Sequence, residues 1–326
     1  MRCPMFSTNP PRVQVGLKEV FLDHSGTFSF ISHAHSDHAL SSRVPTVLAS
    51  RETIDLLEAR GYPAGNDVVH EHYGIKLLNA GHVLGARQLA AETDGGAFCY
   101  TGDFKLSSSP CVSGAEVPEC DVLFTEATFG SPEFSFPPWE EVASEIAEWV
   151  SQEQKNGVVV LGGYALGKAQ DLVKILNDYA GVTPLVEDNI AAVNDVYVKH
   201  GVKLDFIRAS SEEGLKELEK NFVAVVPMNR VNNNFAFHLS RAYSKKVATA
   251  VATGWAHSRN FSADKAFCLS DHSDFNELLE FVERTGAKKV FTHCGNAVRF
   301  ARELRRKDVN AQALEEQQKM LVAWEE

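Results

Sequence analysis

Six cysteines are spread through 326 residues (Cys3, Cys99, Cys111, Cys120, Cys268 and Cys294), and no two form a CxxC pair. A chain this long can bury a core without a disulfide framework, so the thiols read as reduced. No apolar run reaches the roughly 18 residues a membrane span needs, and Met1-Arg2-Cys3-Pro4 opens no apolar stretch of signal-peptide length. A soluble, cytoplasmic protein with no membrane partner is expected. Basic residues are also short: 32 Lys and Arg stand against 43 Asp and Glu, a net charge of −11. That excludes a protein that coats nucleic acid through bulk charge, although not a local site. Repeats and low-complexity tracts are lacking too, which leaves ordinary globular domains. With 44% hydrophobic and 23% charged residues, the chain can bury a large core and is long enough for two domains.

The chain does have one dense polar stretch, Ile31-Ser32-His33-Ala34-His35-Ser36-Asp37-His38. Residues two apart on an extended backbone share a side, so His33 and His35 are expected to face one point. Asp37 and His38 follow and can face a second point just beyond. Imidazole nitrogen and carboxylate oxygen are the donors that zinc and similar divalent ions take.

A pattern then repeats along the chain: an apolar strand followed at once by a metal-type residue. Thr27-Phe28-Ser29-Phe30-Ile31 leads into the histidine stretch. Ile75 to Ala80 leads into Gly81-His82-Val83-Leu84-Gly85, where two glycines would let the backbone approach an ion closely. Ala97 to Thr101 leads into Gly102-Asp103, and Asp121 to Thr125 into Glu126. Upstream, Val20-Phe21-Leu22 ends in Asp23, which reads equally well as a carboxylate supporting a ligand histidine or as a turn residue before Gly26. These endings predict a shared site along one edge of a sheet.

After Gly130 the texture changes to alternating helices and continuous apolar strands, the pattern of a parallel α/β domain. Val158 to Leu161 runs into Gly162-Gly163-Tyr164-Ala165-Leu166-Gly167-Lys168 and a helix. Backbone N–H groups at such a helix start suit phosphate, so Gly163, Tyr164, Gly167 and Lys168 are candidate substrate contacts, with Arg259 a further one. Near the C-terminus the first texture returns. Ala266 to Leu269 leads into Ser270-Asp271-His272-Ser273-Asp274, and Lys289 to Thr292 into His293-Cys294-Gly295. The simplest topology is one metal-bearing domain (1–129 and 265–326) interrupted by an inserted α/β domain (130–264).

The order His33-x-His35-x-Asp37-His38, His82, Asp103, His293 resembles the metallo-β-lactamase superfamily across nearly the whole chain. Gly81 to Gly85 and Thr125-Glu126-Ala127-Thr128-Phe129-Gly130 narrow the resemblance to the β-CASP branch, which comprises nucleases of RNA and DNA. Gly163 to Gln170, Gly254-Trp255 and Leu269 to Asp274 look like the compact prokaryotic exonuclease-like proteins encoded beside DNA ligases and helicases, or the similar mRNA 3′-end processing factors. The resemblance implies an αββα sandwich with an inserted parallel α/β β-CASP domain. It implies two divalent ions, zinc first and manganese as the alternative. His33, His35 and His82 would hold one ion, Asp37, His38 and His293 the other, with Asp103 bridging. Asp37, Glu126 and His272 would serve catalysis, Glu126 matching motif A, His272 motif B and His293 motif C. Ala86 and Ala127 stand where serine is usual, and neither change removes a ligand. Histidine at motif C, where Artemis-like DNA nucleases have valine, pulls toward the RNA-processing members.

The expected activity is two-metal hydrolysis of single-stranded or frayed nucleic acid, with DNA end processing slightly favoured, RNA processing as the alternative, and a ligase or helicase as partner. A small-molecule metallohydrolase shares the first histidine stretch, but is not expected to carry the insertion with Glu126 and His272.

Overall fold

The computed structural model describes residues 6–8 and 10–314; Cys3 and the rest of the Met1-Arg2-Cys3-Pro4 stretch lie outside them. The described chain divides into two compact units, one of residues 6–108, 112–135 and 272–314, the other of 109–111 and 136–271. Among the described residues no helix is long and apolar enough to cross a membrane, and the described cysteines form no disulfide.

The first unit is built on two six-stranded sheets. In the first sheet, β1 (Phe6–Thr8), β2 (Pro11–Val15) and β3 (Lys18–Leu22) are antiparallel, and β4 (Phe28–Phe30) and β5 (Thr46–Leu48) add in parallel. Helix α1 (Arg51–Ala59), capped by the Ser50 hydroxyl accepting from Thr53 N at 3.0 Å, leads to the parallel edge strand β6 (Asp67–Val69). In the second sheet, β7 (Ile75–Asn79), β8 (Arg87–Thr93) and β9 (Gly96–Tyr100) form a meander, and β10 (Val122–Glu126) lies parallel to β9.

Alternation along the strands turns Val13, Val15, Val20, Leu22, Phe28, Phe30 and Leu48 of the first sheet toward Leu89, Ala91, Phe98, Tyr100 and Phe124 of the second. Their shared core holds the sheets face to face, each large side chain contributing about 1.5–3 kcal/mol by its burial.

The second unit is one parallel sheet interleaved with helices: α2 (Trp139–Glu153), β11 (Gly157–Gly163), α3 (Lys168–Ala180), β12 (Leu185–Val186), α4 (Asp188–Lys199), β13 (Ile207–Arg208), α5 (Glu212–Glu217), β14 (Val223–Pro227), α6 (Asn233–Tyr243), β15 (Lys246–Ala252) and β16 (Lys265–Phe267). The strand order is β13-β12-β14-β11-β15-β16. The buried run Val158 to Leu161 is its central strand, covered on both faces as parallel strands are. Ala250 to Ala252 pairs in parallel with Lys265 to Phe267. That ladder keeps 265–271 with this unit, past the expected boundary at 264.

The chain then returns to the first unit through α7 (Phe275–Thr285), capped by Asp274, β17 (Lys289–His293), α8 (Ala297–Arg306) and β18 (Ala311–Ala313). β17 joins β10 in parallel and β18 joins β17; α8 packs on both. Strands β7, β9, β10 and β17 therefore run the same way, with β8 reversed, and their C-terminal ends share one edge of the second sheet.

Gly81 and Gly85 have φ of +71° and +77°, but the space their missing Cβ atoms leave is filled by protein. A Cβ on Gly81 would lie 2.3 Å from the Lys105 carbonyl oxygen, and one on Gly85 would lie 2.5 Å from Glu52 Cβ. The glycines let the His82 loop lie against two chain segments, which fixes where His82 points. Gly85→Ala should therefore cost at least about 2 kcal/mol, from left-handed strain plus overpacking. Gly16→Ala, with φ +57° and open space around it, should cost about 1–2 kcal/mol from strain alone. Urea unfolding of both variants checks the order.

Candidate metal centre

Beyond β4, Ile31 N still donates to Leu48 O at 3.0 Å, and then the chain coils: the His35 carbonyl accepts from His38 N at 3.2 Å and Ala39 N at 2.9 Å. The histidine stretch is thus a turn, not the extended segment its spacing predicted. His33 and His35 converge all the same, because they use different ring nitrogens. His33 Nε2 lies 3.0 Å from His35 Nδ1, and His82 Nε2 lies 3.0 Å from the same atom. Asp103 Oδ2 is 3.6 Å from His33 Nε2 and 3.8 Å from His82 Nε2. The four donor atoms all fall within 4.8 Å of one another, and His33, His82 and Asp103 are buried.

His38 Nε2 is 3.5 Å from the same Asp103 oxygen and 3.8 Å from Asp37 Oδ2. Asp37 and His38 are thereby linked to the first group through Asp103, with the Asp37 side chain three-quarters exposed. His293 ends β17 directly opposite Glu126 in the β10–β17 ladder. Its ring centroid lies 4.5 Å from that of Phe124. The predicted ligands therefore come from the loop ends of two sheets, not from one sheet edge as the repeated strand-end pattern implied.

A buried carboxylate organises the cluster from behind. Asp23 accepts from Ser32 N and Ser32 Oγ, both at 2.6 Å, and from Tyr100 Oη at 2.8 Å, and it lies 2.8 Å from His38 Nδ1. Ser32 Oγ is also 2.9 Å from His33 Nδ1. With their Nδ1 atoms so engaged, His33 and His38 present Nε2 to the centre, the arrangement that supports ligand imidazoles. Asp23 also turns the chain, at φ +49°, and its carboxylate meets His38. Ser32 and Tyr100 carried no sequence signal beyond their places next to His33 and inside a strand.

Charges in the cluster are strongly coupled. Burial, then the neighbouring His38 and His82, holds the His33 pKa well below its ordinary value. Burial also disfavours the charge on His38, but the carboxylates of Asp103, Asp37 and Asp23 outweigh it and push its pKa well up. Burial alone would raise Asp103; the His38 imidazole beside it brings it well down. Burial, and then Asp23, raises the Tyr100 phenol, which stays a donor. Three imidazoles and a carboxylate, three of the four buried and all converging on one point, are the donor set that fits a zinc-like divalent ion.

Metal uptake should consequently expel the proton from His38. The neighbouring carboxylates push the His38 pKa up, so an ion taking its Nε2 must displace a proton held more tightly than usual, and binding should release protons and tighten as pH rises. Calorimetric titration in two buffers of different ionisation enthalpy measures this; uptake with no proton release at pH 7 would contradict it.

Beside the cluster sits a dyad. His272 Nδ1 is 2.8 Å from Glu126 Oε1, and the ring of His272 lies 4.5 Å from that of His82 between centroids. Glu126 is fully buried and its two oxygens accept from Phe104 N at 3.1 Å and Thr128 N at 2.9 Å. The flanking residues are structural: Ser273 Oγ accepts from Leu106 N at 2.9 Å, and Asp274 caps α7.

In the second unit, the predicted substrate contacts follow the ends of the adjacent parallel strands β11 and β15. Gly163 closes β11, Tyr164 follows, and Gly167 precedes α3, its N–H donating to Gln170 Oε1 at 2.7 Å. Lys168 departs from the expected phosphate contact: its ammonium is buried, ion-paired with Asp271 and 4.9 Å from the centre of the Tyr164 ring. Arg259 is exposed, its guanidinium 4.4 Å from the centre of the Trp255 ring.

No family model matches the chain. A protein of Opitutus terrae described as a probable DNA ligase is 32% identical over 310 residues, covering 88% of this chain and 29% of that protein. Mouse DNA cross-link repair 1A protein is 25% identical over 299 residues, 81% of this chain and 28% of its own length. An RNase J-like protein of Methanocaldococcus jannaschii is 33% identical over 114 residues, 34% of this chain and 27% of that protein. The chain spans less than a third of the length of each. With the histidine order, the two-sheet sandwich and the inserted parallel α/β unit in place, the chain belongs to the β-CASP branch of the metallo-β-lactamase superfamily.

Proposed function

We propose that this protein is a metal-dependent phosphodiesterase that trims single-stranded or frayed DNA ends. The observation that carries the reading is the His272–Glu126 dyad set directly beside the imidazole and carboxylate cluster. His33, His35 and His82 would hold one divalent ion, Asp37, His38 and His293 a second, with Asp103 shared. Bound ions, zinc first and manganese second, supply charge neutralisation and an activated water. Glu126 orients His272 through Nδ1, leaving the opposite ring nitrogen to protonate the departing oxygen.

Two relatives that align over most of the chain carry DNA names, and one of them is described as a probable DNA ligase. This supports a role in preparing ends for sealing, in the cytoplasm and with a ligase as partner; a helicase is the other partner the likeness offers. His33, His82 and Asp103 are buried, which favours an unpaired strand, able to bring its phosphate close, over a duplex. Gly163, Tyr164, Gly167 and Arg259 are proposed substrate contacts; Lys168 is not retained. The acidic chain should make few phosphate contacts, so the logarithmic salt slope should be only about two or three. Histidine at position 293 and the RNase J-like relative favour RNA as the second reading.

Elemental analysis of protein purified without chelator should find close to two metal equivalents. His272→Ala should keep both and lose roughly 10²- to 10⁴-fold in cleavage rate; loss of a metal equivalent would remove the acid role. A labelled single strand of one sequence, as DNA and as RNA, should be cut only without chelator and faster as DNA. RNA cleaved tenfold faster would move the protein to RNA processing.

A further inference from the structure

Among the described residues, four that are not glycine have positive φ: Asp23, Ser244, Cys294 and Asp308. Ser244 is the C-cap of α6, and Asp308 follows the last turn of α8. The other two are alike in a different way. Asp23 comes directly after β3 and Cys294 directly after β17, with φ of +49° and +59°. Each brings its side chain to the Nδ1 of a histidine read as a ligand: Asp23 Oδ2 is 2.8 Å from His38 Nδ1, and Cys294 Sγ is 3.0 Å from His293 Nδ1. A left-handed residue with a Cβ is uncommon and costs about 1–3 kcal/mol where the surroundings hold it.

We propose that Cys294 is a positioning residue for His293, the counterpart of Asp23 for His38. The left-handed turn folds the thiol back onto the ring it follows. Phe124 flanks the ring, with centroids 4.5 Å apart, and the sulfur engages Nδ1, so the ring can turn neither about Cβ–Cγ nor end for end. Nε2, which is buried, is then the nitrogen offered to a ligand. With an ion on Nε2, Nδ1 carries the hydrogen and donates it to sulfur, as Nδ1 of His38 donates to Asp23. The next residue, Gly295 at φ +49°, lies so close to Thr128 that a Cβ would stand 2.4 Å from Thr128 Cα. The whole turn is thereby held against the segment after Glu126. The inference rests on the reading that His293 is a metal ligand.

The test separates backbone from thiol. Cys294→Gly relaxes the strained φ and removes sulfur, Cys294→Ala keeps the Cβ and removes sulfur, and Cys294→Ser keeps an acceptor. Zinc titration of the full chain should show the weaker of two equivalents bound about 10- to 100-fold less tightly in the glycine and alanine variants, the loss expected when the partner of a ligand histidine is removed. The serine variant should recover most of it. Nitrogen-15 NMR of the zinc-loaded wild type should show His293 protonated at Nδ1, and the glycine and alanine variants a mixture of ring states. Circular dichroism identifies any variant that fails to fold, and the remaining variants decide. Wild-type affinity and a single ring state in both the glycine and alanine variants would overturn the proposal. A wild type that binds only one equivalent would instead overturn the role of His293 as a ligand, whatever Cys294 does.

Discussion

The hydrogen bonds to Asp23 are the constraint on which the site depends. This one carboxylate lies behind the cluster and engages groups from both sheets: Ser32 and His38 from the loop after β4, and Tyr100 from the end of β9. A buried carboxylate is costly unless it is fully hydrogen-bonded. Two of its partners bear directly on the cluster: His38 belongs to it, and Ser32 Oγ engages His33 Nδ1. The sandwich core brings the two sheets together; Asp23 sets which nitrogen His38 turns inward, and Ser32 does so for His33. Within the cluster the carboxylates push the His38 pKa up, and the His38 imidazole brings the Asp103 pKa down against its burial.

Division of labour follows from strand direction. Because β7, β9, β10 and β17 run the same way, every strand of that set delivers its last residues to one edge. His82, Asp103, Glu126 and His293 need no further device to be neighbours. The loops then refine the aim: glycines press the His82 loop against the α1 entry and the Lys105 segment, and the Asp274 cap fixes where α7 begins, two residues after His272.

Much of this was legible in the sequence. A strand ending in a metal-type residue is a local pattern, and the repeats of it at His82, Asp103, Glu126 and His293 all lie at that edge. The inserted α/β unit showed in its continuous apolar strands, since a strand buried on both faces loses its alternation. Long-range facts were not legible. That the histidine stretch turns back on the His35 carbonyl, and that His33 and His35 still converge through different ring nitrogens, is not written in their spacing. That Tyr100 supports the site depends on a pairing 77 residues away. That Lys168 is a buried ion-pair partner depends on Asp271, 103 residues on. That Lys265 to Phe267 pairs with β15 is likewise a contact that composition does not report.

If these side chains form the metal centre, bound ions sit among them and not on surface carboxylates. Crystals of the full chain grown with zinc, measured on either side of the zinc absorption edge, test it directly. The anomalous difference map should show a peak bounded by His33 Nε2, His35 Nδ1, His82 Nε2 and Asp103 Oδ2, with a second peak on the Asp37, His38 and His293 side of Asp103. Peaks confined to surface carboxylates, or none within reach of His33 and His82, would contradict it.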